Sequence, residues 1–252
     1  MTFISFLSVL VLFLGLFITQ ELFHRYARFS LWFFIIASII LLPCWVLLIG
    51  VDDWFSWLKV LSIAIGIIVL SLFRTTKLGN TKWCRWIVYV FLVVNILEAV
   101  LKDIQAGDLA NYLNAAAGIL LVVTLNKVGT IHIDKKYKDL YWDSMTFPWI
   151  IGYTIWNWVF VYLNFGLESS IQHIAVLGSA LVIAFLKKER WLQARVFTLG
   201  TYFILIHSYP HFASQFSPSA YFEPFGLTAA LISFGFMLTY SIRQRHSMPV
   251  KI

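Results

Sequence analysis

Charge is what this chain has least of. Asp, Glu, Lys and Arg together make up 12% of its 252 residues, against 60% hydrophobic residues. A soluble domain carries about twice that share of charge, so a surface built for water is excluded. Cysteine is almost absent: Cys44 and Cys84 lie near opposite ends of two apolar runs. At 1.5 Å rise per residue they are about 20 Å apart in depth, beyond the reach of a disulfide, and both read as packing residues. Linkers, low-complexity tracts and a second domain are lacking too. The longest polar interruption, Asn126 to Met145, is too short to fold by itself. The patterns H-E-x-x-H, G-x-S-x-G, the Walker loop and C-x-x-C are all missing, so no catalytic, cofactor or metal signature is legible.

What is present is apolar sequence in helix-length runs. A hydrocarbon core about 30 Å thick needs roughly 20 helical residues per crossing. That ruler gives about nine crossings, near 3–22, 31–50, 54–73, 86–101, 109–125, 147–165, 171–186, 191–208 and 222–241. The runs are unbroken rather than alternating with period two, so the expected fold is an all-α polytopic transmembrane helical bundle, not a barrel. One integral membrane domain over residues 1–252 is expected. With the N-terminus outside and the C-terminus inside, the inner loops collect sixteen of the 19 Lys and Arg residues, as the positive-inside rule requires. The first run has no basic segment before it and no small-residue cleavage site before Glu21, which reads as a retained anchor. The net charge of +7 is dispersed over those loops, and no aromatic-rich soluble module accompanies it, so nucleic acid is not an expected partner. The bilayer is. Trp32, Trp54, Trp57, Trp83, Trp86, Trp142, Trp149 and Trp191 fall at predicted helix ends, where the ring suits the headgroup level. The stretch Asn126 to Met145, with Tyr137, Tyr141 and Trp142 among Lys and Asp, reads either as a segment lying in the interface or as a solvated connector.

Against this background the polar residues inside the runs stand out. The stretch VVNILEAVLKDIQ sets Glu98 within the fourth helix, with Asn95 and Lys102 on the same face. An acidic residue at mid-membrane costs about 2.5–3.5 kcal/mol, which the neighbouring Val, Leu and Phe residues can offset. Glu98 therefore reads either as half of an ion pair with Lys102 reaching to the interface, or as an acid kept for function. Asn111 and Asn114 follow on the fifth helix, with the small residues Ala115 to Gly118 behind them, which admit a close neighbour. The connection between the fourth and fifth helices is short, so Asn95, Glu98, Asn111 and Asn114 are expected to face one another.

Tyr153, Asn157, Phe160 and Asn164 share a face of the sixth helix, His173 begins the seventh, and His207 and His211 end the eighth. Asp52, Asp53, Lys59, Asp103, Asp108 and Glu223 complete an outer rim, while the inner halves hold few polar side chains beyond Gln193 and Arg195. The expected site is thus Asn95, Glu98, Asp103, Asn111, Asn114, Asn157 and His207 around an outward-facing pocket for a cation or small polar solute. Each amide also reads as interhelical glue. His207 and His211 have the i, i+4 spacing of a metal pair, but Pro210 interrupts it and no metal is expected. Two other function classes remain open. One is an intramembrane enzyme on a lipid-like substrate, with Glu98 or Asp103 as acid or base and His207 or His211 as partner; the other is a sensor or assembly subunit without catalysis. A transporter should continue a polar path inward past Asn157 toward Arg195, whereas an enzyme should show a closed inner half and a lateral opening to lipid.

Four blocks carry a resemblance: NILEAVLKDIQ (Asn95 to Gln105), NAAAGILLVVT (Asn114 to Thr124), IIGYTIWNWVFVYLN (Ile150 to Asn164) and KKERWLQARVFTLG (Lys187 to Gly200). In this order they resemble an uncharacterised family of bacterial multi-pass membrane proteins, a domain-of-unknown-function group. The resemblance implies a bacterial inner-membrane setting. It brings no established activity, and so no catalytic residue to carry over.

Overall fold

A computed structural model describes residues 3–50, 52–125, 128–209 and 221–247. Eight helices dominate: α1 (Phe3–Arg25), α2 (Ala27–Leu48), α3 (Trp54–Thr75), α4 (Lys82–Ala106), α5 (Leu109–Val123), α6 (Phe147–Leu186), α7 (Trp191–Ser208) and α8 (Glu223–Ser247). Six of them, all but α5 and α7, are long and apolar enough to cross a membrane. Their outward faces are apolar as well, with Leu47 84% exposed and Ile39, Ile40 and Ile18 also uncovered, a coat that suits lipid and not water.

Local chemistry sets the helix ends. The Asp53 carboxylate accepts the Ser56 N–H at 3.1 Å and starts α3, and Thr81 Oγ1 accepts the Cys84 N–H at 3.3 Å and starts α4. Gly107, in the left-handed region at φ 83°, ends α4, and Asp108 leads directly into α5. This two-residue connection makes α4 and α5 neighbours, as expected. Their approach is close: a Cβ on Gly118 would lie 2.5 Å from Val100 and 2.9 Å from the Trp156 indole nitrogen.

The expected nine separate crossings become eight helices because residues 147–165 and 171–186 belong to one element that folds back on itself. Gly166 has φ 78° and ψ −172° inside α6, a conformation open to glycine and strained for other residues. The two limbs run antiparallel. The rings of Phe147 and Phe185 come within 4.8 Å, and the Trp158 indole donates to Ser170 O at 3.0 Å.

The Asn126 to Met145 stretch is neither a free connector nor a segment lying flat. Its described part holds a small antiparallel hairpin, β1 (Ile131–Ile133) and β2 (Leu140–Trp142), with β2 buried along its length. Arg74 of α3 anchors it, donating from Nε to Lys138 O (2.9 Å), from Nη1 to Phe23 O (2.8 Å) and from Nη2 to His24 O (2.9 Å). Asp139, fully buried, takes Arg74 at 3.2 Å, His24 at 2.7 Å and the Gln193 amide at 2.5 Å. Here a compact polar knot joins α1, α3, α7 and the hairpin. It also corrects the expectation that this end of the bundle is poor in polar side chains beyond Gln193 and Arg195: Arg74 and Asp139 come from outside the apolar runs and fold inward.

Tryptophan needs a matching correction. Trp32, Trp54, Trp83 and Trp86 are exposed at helix ends, but Trp142, Trp149 and Trp191 are buried with Trp156 in the main core. Their indoles serve packing. Trp149 and Trp191 meet edge to face at 5.8 Å, and the Trp149 N–H is satisfied by Leu121 O at 3.1 Å.

Candidate functional site

Six of the seven residues expected to share one pocket fall into two groups, and His207 belongs to neither. The first is built on Asp103, which is not a rim residue but wholly buried. Its carboxylate accepts Asn111 Nδ2 at 2.9 Å, Asn114 Nδ2 at 2.7 Å and Asn164 Nδ2 at 2.7 Å. Asn164 also donates to Phe160 O at 3.0 Å, which fixes its orientation. Three helices, α4, α5 and α6, thus meet on one carboxylate. No cation joins it among the described ion pairs; its charge is stabilised by amide dipoles alone.

The second group surrounds a cavity of about 410 Å³, mouth included, between α3, α4, α6 and α7. Lys59, Asn95, Asn157, His173 and Arg195 supply its polar lining, and Phe55, Phe160 and Phe165 most of its apolar wall. Glu98 sits at its edge. The pairing expected with Lys102 does not form: Glu98 Oε2 binds Lys59 Nζ at 2.8 Å and accepts Ser62 Oγ at 3.3 Å. Lys59 donates further to Asn95 O at 3.1 Å. Lys102 instead lies over the Phe55 ring, 5.5 Å from its centroid. Asn111 and Asn114 do not face Glu98 or Asn95, because Asp103 holds both.

Asn157 and His173 come from the two limbs of α6 and meet because the chain reverses between them. His173 Nε2 lies 2.7 Å from Asn157 Oδ1, and Arg195 Nη2 donates to the same oxygen at 3.1 Å. Arg195 Nη2 also lies 3.5 Å from His173 Nε2, so the three side chains meet at one point. The Arg195 guanidinium is 3% exposed and lies 5.9 Å from the Tyr153 ring. Its Nε and Nη1 have no hydrogen-bond partner among the described residues. Two cations, Lys59 and Arg195, therefore line the cavity, and the one carboxylate nearby, Glu98, pairs with Lys59.

His207 is buried one turn beyond Phe203, with the two rings 5.2 Å apart. Phe203 lines the cavity and His207 does not. His211 and Pro210 lie outside the described residues. No cluster of three or more His, Cys, Asp or Glu side chains able to hold a metal occurs among the described residues. Sequence reasoning passed over Lys59, His173 and Arg195 as parts of one site and Asn164 as a partner of Asp103. The signal for Arg195 was available: an ionisable residue inside an apolar helix is a candidate functional group whose partner has to be sought.

A second, mainly apolar space of about 730 Å³, mouth included, adjoins the cavity between α3, α4 and α7. Both share Ile63, Asn95, Arg195 and Leu199. The polar lining stops at the guanidinium.

A mainly helical bundle with six membrane-length apolar helices, coated with apolar side chains and with Lys59, Glu98, Asp103 and Arg195 buried inside it, is the architecture of a polytopic membrane protein. The chain belongs to a family described as Family of unknown function (DUF5692), whose model matches residues 1–242. Comparison with curated proteins and with solved structures finds no match.

Proposed function

We propose that this protein is a multi-pass bacterial inner-membrane protein, N-terminus outside and C-terminus inside, that binds a small polar solute carrying a negative charge. The carrying observation is the buried Arg195 guanidinium, with two nitrogens unpartnered, on a cavity where positive charge exceeds negative. An uncompensated buried cation is costly unless something pairs with it. An anion held by Arg195 and Lys59, and oriented by Asn157 and His173, supplies that pairing. Of the two ligand classes read from the sequence, this charge balance favours the polar solute over the cation. The apolar space past Arg195 supports binding at a fixed site and gives no polar route through the bundle. For catalysis by Glu98 or Asp103 the surroundings speak less well, since one carboxylate is clasped by Lys59 and the other enclosed by three amides.

The test uses protein in phosphatidylcholine nanodiscs, with thermal unfolding read against sodium acetate or phosphate at constant ionic strength. A rise in Tm that disappears in Arg195→Gln is expected; no rise, or a rise unchanged in that variant, overturns the reading. Orientation has its own check. Single cysteines at the exposed positions 52, 107 and 168 should label from the periplasmic side and those at 78 and 137 should not, and the reverse pattern inverts the topology.

A further inference from the structure

Asn95 and Arg195 stand in the wall shared by two neighbouring spaces, the polar cavity and an apolar slot. Beyond Arg195 the slot is walled by Gly66, Leu70, Phe73, Val88 and Leu92, and its few polar residues include Ser62, Asn95 and Arg195, which cluster where it meets the cavity. Along α3 it runs from Ser62 to Phe73, about 16 Å at the helical rise. Its flank lies at the seam of α3 and α4, where Val94 is 40% exposed on the bundle surface. A solute that stopped at the guanidinium would leave this apolar length unused, and water gains no hydrogen bonds in a slot lined by Ile, Leu, Val and Phe.

We propose that the ligand is a single-chain amphiphile, its carboxylate or phosphate head on Arg195 and Lys59 and its hydrocarbon tail in the slot between α3 and α4. This rests on the anion reading above and names the ligand class for the same site. Charge complementarity fixes which end lies where. The Arg195 side chain lines both spaces, and no other charged side chain lines the slot. The opening at the α3–α4 seam lets such a molecule enter sideways from the bilayer, tail and all, without crossing a polar mouth.

The experiment separates head from tail. In phosphatidylcholine nanodiscs, Tm is followed with dodecanoate and dodecyl phosphate, with acetate and inorganic phosphate as short counterparts, and with dodecyltrimethylammonium as a chain of opposite charge. The tail leaves one apolar medium for another, so the expected advantage is modest: the long anions act at concentrations about tenfold lower than the short ones. The relative strength of the two long anions says which head the site takes. Gly66→Leu should remove the chain-length advantage and keep the response to short anions. A Cβ at Gly66 meets the Phe91 ring at 3.5 Å, ordinary contact, and Val69→Phe fills the same slot from another position should the first variant fold poorly. Arg195→Gln should abolish both responses. Equal potency of long and short anions, equal stabilisation by dodecyltrimethylammonium, or an undiminished advantage in the slot-filled variants overturns the amphiphile and leaves the anion site standing. No response to any anion overturns both.

Discussion

Glu98 and Asp103 stand five residues apart on one helix, both buried, and the protein treats them in opposite ways. Glu98 is neutralised by a cation from α3 that lines a cavity; Asp103 is held by amides from α5 and α6. The reason is rotational. Five residues turn a helix by about 140° net, so the two side chains leave α4 toward different neighbours and no single set of partners can serve both. The pair with lysine leaves charge near open space, whereas the amide cage brings three side-chain donors to one carboxylate. A buried carboxylate in a membrane helix is thus a poor guide to function by itself; what it faces decides.

The comparison can be broken most severely at Asp103. Asp103→Leu strands three buried amide donors at about 1–3 kcal/mol each, and thermal unfolding in nanodiscs should show the largest Tm loss of any change here. Asp103→Asn keeps one acceptor oxygen and should lose clearly less; equal losses would mean that the amides do not depend on the carboxylate. Next comes Lys59→Met, which leaves Glu98 buried without its cation at about 3–5 kcal/mol. Lys59→Met combined with Glu98→Gln should recover most of that, and additive losses in the double-mutant cycle would refute a direct pair. Asn164→Ala removes one of the three donors to Asp103 and should cost about 0.6–2 kcal/mol, with the same loss absent in the Asp103→Leu background. Glu98→Gln leaves Lys59 buried without its carboxylate and should lower Tm about as much as Lys59→Met, but that variant frees Lys59 for a ligand. It should lower the acetate or phosphate concentration needed to raise Tm by several-fold, while Asp103→Asn leaves that concentration unchanged.

Much of the frame was legible in the sequence because lipid makes simple demands: helix-length apolar runs, and small residues where α5 approaches its neighbours. The partners of the buried acids were harder to read. Lys102 sits one turn from Glu98 and satisfies the local helical rule, yet Lys59, distant in sequence, takes the acid. Depth along the helix held the missing clue. Asn111 lies two residues into α5 and Asp103 three residues before the end of α4, so the two are level across the tight connection. Glu98 is eight residues, about 12 Å, below that end. Matching depth across the turn would have assigned Asn111 and Asn114 to Asp103. No comparable rule links Lys59 to Glu98 or Arg195 to Asn157, since each needs the side-by-side order of helices separated by many residues. The same holds for the tryptophans near the hairpin, which stand at helix ends in sequence but are covered once Arg74 draws the hairpin inward.

The reversal at Gly166 ties the site to the backbone in a way that single side-chain changes miss. Asn157 and His173 lie on opposite limbs of α6 and touch only because the bend returns the chain in one particular phase. Inserting one alanine after Gly166 would rotate the second limb by about 100° and swing the imidazole away from its amide, with every cavity residue still in place. The bend therefore acts as the index mark of the pocket, and its length is under tighter restraint than its composition.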